Sequence, residues 1–432
     1  MSANSLLLSL ALAALASAAP AQDVTVVKCG TLWTGRGEQP KTDVVLLIED
    51  GKIKQIGADI EVPWNANVID ASRHFVMPAW VLAHCSGGLD RENENIPMTP
   101  YLTVMDSLEP AHPFFEVARR AGIGVLHVLP GNTCQVGGRG VLLKPYGQTP
   151  EEMAFVEKAA MKVSLFSGRG SRSAHLLALE KGFQDALDHR KELQRQRKEW
   201  EEDKANGATT EAEFDVEAKL DPLKKPLLDM LDGKIPAYIY VHDANDVPTA
   251  LSLLEKYPLK AVLVLGPRCY KAAALLERWS RRNPGKLRLV LDPELEFTEK
   301  DPVTGDETVV CPAKVYWDKG LPFALTSAEV GGRSSGNPAL ALPWWQVGTC
   351  VRYGIPEDDA IAAFTEIPAK ILNRGDRVGR IAVGMDATIQ VLKAPPMEPE
   401  SEVDMLLVEG QVVYDRSKDP RVKALTGTSE TR

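Results

Sequence analysis

The feature that most constrains this chain is an alternation of short apolar runs with amphipathic helical segments through its middle. Three of the apolar runs read GIGVLHVLP, KAVLVLG and KLRLVLD, and the helical segments beside them include FFEVARRA and YKAAALLERW. Runs of this kind indicate buried strands. Sustained over roughly 300 residues, the alternation predicts an α/β fold, a (β/α)8 TIM-type barrel. A doubly wound open sheet is the alternative, but no G-x-G-x-x-G motif opens a helix here.

Both ends of the chain carry strand-like runs of a different kind. Near the start they read DVTVVKCGTLWT, DVVLLIEDGKIKQIG and NVIDASRHFVMPA, and near the end DATIQVL and DMLLVEGQVVYD. Asp50-Gly51 predicts a tight hairpin turn between two of these strands. The two sets together predict one small β-sandwich domain built from both chain ends. The predicted boundaries are 23–78 and 377–417 for this β-domain, 79–376 for the barrel and 418–432 for a tail.

The first 22 residues resemble a secretory signal. An apolar core runs from Leu6 to Leu15, and the triplets at 16–18 and 19–21 fit the small-x-small pattern that precedes cleavage. We therefore expect an exported protein, periplasmic or secreted, and an uncleaved N-terminal anchor is the alternative. No later stretch is long and apolar enough to predict a membrane span in the mature chain.

Charge and cysteine spacing exclude several classes of protein. The formal net charge of −9 implies no basic face, which argues against a nucleic-acid partner. The six cysteines show no C-x-x-C spacing, so they predict buried free thiols instead of a zinc ribbon or a dense disulfide framework.

A highly charged segment from Leu177 to about Leu231 interrupts the barrel pattern. Its alternating charges predict a long solvated helix, a break near Asn206-Gly207 and a second helix. We interpret it as an insertion that elaborates one βα unit of the barrel. The alternative is an arm that binds a partner.

Three long motifs frame the barrel region. They read VVLLIEDGKIKQIGADIEVP, VIDASRHFVMPAWVLAH and IPAKILNRGDRVGRIAVGMDATIQVL. In these motifs the chain resembles the amidohydrolase superfamily, in particular its imidazolonepropionase-like secreted branch. The likeness extends over nearly the whole chain after the first 22 residues. It implies descent from metal-dependent hydrolases of non-peptide C–N bonds in cyclic or linear amides.

The resemblance also implies a set of site positions at the carboxyl ends of the barrel strands. Family members bind one or two divalent, zinc-like metals there, and an eighth-strand aspartate serves as general base for the metal-activated water. The first strand supplies His-x-His, the fourth a lysine or acid, and the fifth and sixth one histidine each. In this chain the retained positions are His84, Lys162 and His242, and the degraded positions are Ser86, Leu265 and Ser327.

The substitutions weaken the expected metal centre. Neutral serine and leucine do not offer the donors that zinc prefers, and a cationic lysine repels a metal ion. Cys85 is not expected to substitute, because adjacent residues of a strand face opposite sides. Glu329, two residues beyond Ser327, is the candidate replacement for the missing carboxylate. His127, inside GVLHVLP, is interpreted as a hydrogen-bonded structural histidine.

Two hypotheses of function follow, and the sequence leaves open whether the chain is an enzyme. The first is an exported protein of this fold whose metal chemistry is lost or altered, with a small-molecule amide-type substrate if active and either a divalent metal or no cofactor. The second is a non-catalytic binding or assembly protein, as a homo-oligomer or paired with an active relative. A barrel fold can persist after its catalytic activity is lost, because function depends on the site and not on the fold.

Overall fold

A computed structural model describes residues 24–168, 170–208, 213–327 and 342–426. The segment interpreted as a signal peptide and the candidate residue Glu329 lie outside these ranges. Within them, no helix combines the length and the apolar character needed to cross a membrane.

The strands and helices follow in chain order. The strands are β1 (Val24–Leu32), β2 (Lys41–Glu49), β3 (Lys52–Gly57), β4 (Asn67–Pro78), β5 (Trp80–Cys85), β6 (Ile123–Val128), β7 (Val136–Leu143), β8 (Ala154–Ser164), β9 (Ala237–Val241), β10 (Ala261–Leu265), β11 (Leu289–Leu291), β12 (Phe297–Lys300), β13 (Glu307–Val310), β14 (Phe323–Ala324), β15 (Ile389–Leu392), β16 (Val403–Val408) and β17 (Gln411–Asp415). The α-helices are α1 (Pro113–Arg120), α2 (Pro150–Met153), α3 (Arg172–Ala205), α4 (Val216–Lys219), α5 (Lys225–Leu231), α6 (Val247–Lys256), α7 (Ala273–Arg282), α8 (Pro312–Asp318), α9 (Pro343–Arg352), α10 (Glu357–Ala362), α11 (Glu366–Ile371) and α12 (Pro420–Thr426).

The middle of the chain forms a barrel-like sheet, which confirms the predicted α/β class. Among the described residues its strand order is β14-β11-β10-β9-β8-β7-β6-β5. Alternate side chains point inward, and Val81, Tyr238, Val262 and Val290 belong to one inner core cluster. The outward side chains pack against the surrounding helices in a second, larger cluster. Both faces of the sheet are therefore buried, as in other parallel sheets covered by helices.

One strand of the barrel runs in an unexpected direction. β7 pairs antiparallel with both β6 and β8, whereas the barrel prediction had all strands parallel. Only residues 129–135 connect β6 to β7. A parallel crossover needs about a dozen residues or more, so this short connection permits only an antiparallel return.

Backbone hydrogen bonds to residues 363–364 span the space between the two edge strands of the barrel-like sheet. Val81 of β5 donates its N–H to the carbonyl of Phe364 at 2.8 Å, and Leu325 donates to the carbonyl of Ala363 at 2.8 Å. Residues 363–364 thus bridge the first and last strands. The Thr326 hydroxyl adds a hydrogen bond to the His84 carbonyl.

Strands from both chain ends join in a second sheet. Its order among the described residues is β17-β16-β15-β4-β1-β2-β3. Side chains from both ends, including Val27, Ile69, Ile389 and Leu407, pack into one core. β4 leads into the first barrel strand with only Ala79 between them, and the Ala79 N–H donates to the Thr388 carbonyl at 3.1 Å.

The charged segment contains one long helix followed by two short ones. α3 spans 34 residues and ends at Ala205; Asn206 is its C-cap and is followed by Gly207 with φ +69°. Glycine adopts this left-handed conformation without a steric penalty. Where the sequence predicts a single second helix, the structure has α4 and α5. Pro222 lies between them and lacks the N–H that a continuous helix would need.

Candidate functional site at the barrel mouth

The carboxyl ends of β5 and β8 bring His84 and Lys162 together inside the barrel. The regular pairing of β5 with β6 shifts between Leu82 and Cys85, and the side chain of His84 faces the interior there. Lys162 lies two residues after the inward residue Ala160 in β8, so its side chain is on the same, inner face of the sheet. It is fully buried. Its Nζ lies 2.6 Å from Nε2 of His84. Two of the three retained positions are therefore hydrogen-bonded directly to each other.

Burial controls the charge of this pair. It lowers the pKa of Lys162 to about 7. Burial, followed by the charges of Lys162 and His127, holds the pKa of His84 well below 6.5. Low dielectric surroundings disfavour the charged form of both groups. Nζ of Lys162 and Nε2 of His84 thus share one hydrogen bond, and the tautomer of His84 sets which nitrogen donates.

The third retained position, His242, immediately follows β9. Its Nδ1 lies 3.2 Å from the Tyr240 hydroxyl, and its ring centroid is 4.3 Å from that of Phe166. Burial, followed by the charge of Asp292, raises the pKa of Tyr240, so the phenol stays protonated. The Nζ atom of Lys162 lies 5.7 Å from the centroid of the Tyr240 ring. Tyr240 is therefore hydrogen-bonded to His242 and lies near the buried pair.

The assignment of Leu265 to the sixth-strand position requires correction. In β10, Val262 and Val264 pack in the inner cluster, whereas Leu265 packs in the outer cluster between the sheet and the helices. Strand alternation therefore makes Gly266 the next inward position. The sequence prediction placed this site one residue too early, which transfers a side chain to the opposite face of the sheet.

The two serine positions lie at the barrel mouth and are buried. Ser86 follows β5 and Ser327 follows β14. Cys85 packs in the outer cluster, and its thiol lies 3.5 Å from the His127 carbonyl, in agreement with the expected alternation. Glu329 lies outside the described residues.

His127 faces the barrel interior below this cluster. Its Nδ1 lies 3.0 Å from the Ala83 carbonyl, and its ring packs edge-to-face with Tyr238, with the centroids 4.6 Å apart. Burial lowers the pKa of His127 to about 3. These contacts describe a neutral histidine anchored to the neighbouring strand.

The sequence interpretation missed Asp292, the residue that follows β11. Val290 is inward, so alternation places the Asp292 side chain on the same face. Burial raises the pKa of Asp292 to about 6. The signal is present in KLRLVLD, an apolar run that ends in an acid.

The described donors do not fit a resident divalent cation. Catalytic zinc sites use three protein ligands, each presenting a free lone pair. Here Nε2 of His84 is occupied by the nitrogen of Lys162 at 2.6 Å. Within the described ranges, no three histidine, cysteine, aspartate or glutamate side chains group in a way that could hold a metal.

Comparison with known proteins supports one family. The family model described as "Amidohydrolase family" matches residues 310–413. The amidohydrolase tasK of Hapsidospora irregularis is 21% identical over 90% of this chain and 43% of its own length. The imidazolonepropionase of Stenotrophomonas maltophilia is 34% identical over 20% of each chain. The chain therefore matches less than half of the length of either relative.

Solved structures share the fold. An amidohydrolase from Thermotoga maritima superimposes with a TM-score of 0.70 at 24% identity, over 90% of this chain and all of that one. The sequence comparisons thus support a likeness to the amidohydrolase superfamily, and the family model itself matches only residues 310–413. A more distant neighbour is a zinc-bound adenosine deaminase from Xanthomonas campestris, with a TM-score of 0.53 at 14% identity over 94% of this chain and 96% of that one. At these identities the likeness to solved structures shows the fold alone.

Proposed function

We propose that this amidohydrolase-superfamily protein binds an amide-type small molecule at its barrel mouth without a resident divalent metal centre. The observation that carries this proposal is the 2.6 Å contact between Nζ of Lys162 and Nε2 of His84. In a metal-dependent relative these two positions would turn their lone pairs to the cation. Here the side chains of Lys162 and His84 form a hydrogen bond with each other instead, as part of a polar cluster at the barrel mouth.

Chemistry on a C–N bond without a metal needs another proton acceptor. Asp292 and His242 are the candidates, since they lie two residues beyond the inward residues Val290 of β11 and Tyr240 of β9, on strands separated by β10. General acid–base catalysis by a positioned side chain is effective when its pKa lies near the working pH. The burial that raises the pKa of Asp292 to about 6 supports this assignment.

A non-catalytic role is the second candidate. It is favoured by two hydrogen-bonded pairs at the barrel mouth, His84 with Lys162 and Tyr240 with His242. Buried polar groups that are mutually satisfied stabilise a barrel and need no substrate. In that case the protein would bind a ligand or associate with a second copy or an active relative.

Metal analysis tests the proposal directly. The purified protein is dialysed against zinc, and bound zinc is measured by plasma mass spectrometry for the wild type, Lys162→Ala and His189→Gln. We expect well under one zinc per chain in the wild type and in the His189→Gln control on α3. Lys162→Ala should bind more zinc than the wild type, since the lone pair on Nε2 of His84 is released. Stoichiometric zinc in the wild type would overturn the proposal.

A hydrolysis assay separates the two candidate functions. The wild type and His242→Ala are assayed against a panel of linear amides and lactams, with and without added zinc. Turnover that survives chelation and falls in His242→Ala supports metal-independent catalysis. Absence of turnover in a folded protein supports the binding role.

We also propose that the protein is exported. The support is the apolar and small-residue pattern of residues 1–22. Expression with its native N-terminus, followed by mass measurement of the extracellular or periplasmic product, tests this proposal. A product that stays in the cytoplasm at full length would contradict it.

A further inference from the structure

A small cavity lies between the floor of the barrel and the second sheet. Gly124 of β6 and Phe155 of β8 line it on the barrel side, near the start of each strand. Glu409, in the turn between β16 and β17, lines it on the sheet side, and Arg374, which follows α11, also faces it. The cavity has a volume of about 20 Å³, which is enough for one water molecule or one ion of similar size. It lies at the opposite end of the barrel from the mouth, so its occupancy does not depend on the proposed function.

The charges around this cavity do not balance. Its lining contains three basic and two acidic side chains: Lys144, Arg374, Arg377, Asp386 and Glu409. A further cation, the ammonium group of Lys52, lies 2.8 Å from Oδ1 of Asp386. Four positive groups thus surround two carboxylates, which leaves an excess of positive charge at the barrel floor. Charges that are partly withdrawn from water favour a counterion.

The two carboxylates are already shared among three of the cations. Asp386 lies 2.7 Å from Nε of Arg377 and 2.8 Å from Nζ of Lys52. Glu409 lies 3.2 Å from Nζ of Lys144 and 3.5 Å from Nη2 of Arg377. Arg374 is the fourth cation, and it forms no ion pair with a carboxylate of the described residues.

Two hydrogen-bond donors remain available in the lining. Nε of Arg374 is buried, and no acceptor among the described residues meets it. Leaving a buried donor of a charged group without an acceptor is costly. The Thr388 hydroxyl accepts the Glu409 N–H at 3.4 Å, so its own hydrogen can be donated to a further acceptor.

We propose that this cavity binds one monatomic anion of the chloride class, held by Nε of Arg374 and the hydroxyl of Thr388. A water molecule would accept the same hydrogen bonds but would leave the excess positive charge uncompensated, whereas an anion does both. Polyatomic oxyanions are too large for a space that holds one water-sized particle. Because barrel and second sheet both contribute walls, the bound anion stabilises the contact between them.

Bromide locates the anion directly, because it replaces chloride and scatters X-rays anomalously. Crystals of the full wild-type chain are grown in sodium bromide. We expect an anomalous peak inside the cavity, within hydrogen-bond distance of Nε of Arg374. A cavity that holds only water in these crystals would overturn the proposal.

Thermal unfolding measures the same binding in solution. The melting temperature is compared in sodium chloride and in sodium gluconate, an anion too large for the cavity, at the same ionic strength of about 150 mM. A ligand that binds only the folded chain raises its melting temperature. We expect the chloride-minus-gluconate difference to be larger in the wild type than in Arg374→Gln by about 2 °C.

Further variants connect the effect to the Arg374 donor. Arg374→Lys keeps the positive charge but lacks the Nε donor, so its chloride effect should be smaller than that of the wild type. Arg282→Gln, an exposed arginine at the end of α7, removes the same charge and should respond like the wild type. An equal chloride effect in the wild type and in Arg374→Gln would overturn the proposal. The bromide experiment needs no variant, so it decides the question if the Arg374 variants do not fold.

Discussion

Lys162 is a fully buried lysine whose Nζ contacts an imidazole nitrogen. Removing an ammonium from water costs several kcal/mol, and a carboxylate partner normally offsets part of that cost. A neutral imidazole offers a hydrogen bond but no opposite charge. The lysine therefore shifts toward its neutral form, which is the physical cause of its lowered pKa.

This shift makes stability depend on pH. The pKa of Lys162 is about 7 in the folded chain, against an ordinary value of 10.5. Between these values the unfolded chain binds the additional proton, so the contribution of Lys162 to the free energy of unfolding rises with pH. Lys162→Met has no titrating group at this position, so its free energy of unfolding lacks this pH-dependent contribution. We expect the wild type to gain a few kcal/mol relative to Lys162→Met between pH 7 and pH 10.

Urea denaturation of both proteins at several pH values measures this difference. Lys181→Met, an exposed position on α3, is the control and should follow the wild type at every pH. If the free energy of unfolding changed with pH by the same amount in the wild type and in Lys162→Met, the assignment of a neutral buried lysine would be contradicted.

At the scale of elements, α3 divides into a packed part and a solvated part. Its buried residues, Leu179, Phe183, Ala186 and Leu193, all lie in the first two thirds of its 34 residues. A helix of this length extends about 50 Å, more than the barrel side can cover. Ion pairs such as Arg195 with Glu199 occupy the exposed portion, where each adds little stability.

Two aromatic residues on α3 distinguish its parts. Phe183 is 1% exposed, and its ring centroid lies 5.7 Å from that of Tyr257. Phe183→Ala should lower the free energy of unfolding by about 3–5 kcal/mol, as for other buried aromatic truncations.

Trp200 packs with Phe214 on the distal part of the helix. Trp200→Ala should cost about 1 kcal/mol. Equal losses in chemical denaturation would show that the distal part is packed as tightly as the proximal part.

At the scale of the whole molecule, both chain ends are fixed to the barrel. Strand β15 pairs with β4, which leads into the first barrel strand. Near the C-terminus, Asp419 forms two hydrogen bonds with the Arg120 guanidinium of α1, at 2.5 and 3.1 Å. Segments separated by about three hundred residues thus stabilise one another.

The Asp419 contact predicts a second pH dependence. The Arg120 guanidinium holds the pKa of Asp419 well below its usual range. A lowered folded pKa gives stability that is present above about pH 4 and lost as the pH falls further. Asp419→Asn should therefore lower the free energy of unfolding by about 2 kcal/mol at pH 7, less than a fully buried pair.

The difference in stability between Asp419→Asn and the wild type should begin to narrow below about pH 4 and disappear only below the lowered pKa of Asp419. Thermal unfolding measured across pH checks this expectation. Lys418→Gln alters the adjacent, 80% exposed residue and should leave the melting temperature unchanged. A difference between wild type and Asp419→Asn that persists at low pH would rule out the carboxylate–guanidinium contact as its cause.

The sequence by itself determined the features that depend on local periodicity and on short motifs. Alternation of apolar runs with helical segments predicted the barrel, and the residues that end those runs included His84, Lys162 and His242. These features can be predicted from the sequence because the direction of side chains repeats every two residues in a strand and about every four in a helix. The superfamily resemblance followed from the long motifs at the barrel entry and exit.

Only the tertiary structure decided which strand ends stand side by side. The register of β9, β10 and β11 aligns Gly266 between His242 and Asp292, and it moves Leu265 to the outer face. The short connection before β7 reverses that strand. The direct contact between His84 and Lys162 joins residues 78 positions apart. Register and burial of this kind arise from pairing between distant segments, and no local pattern specifies them.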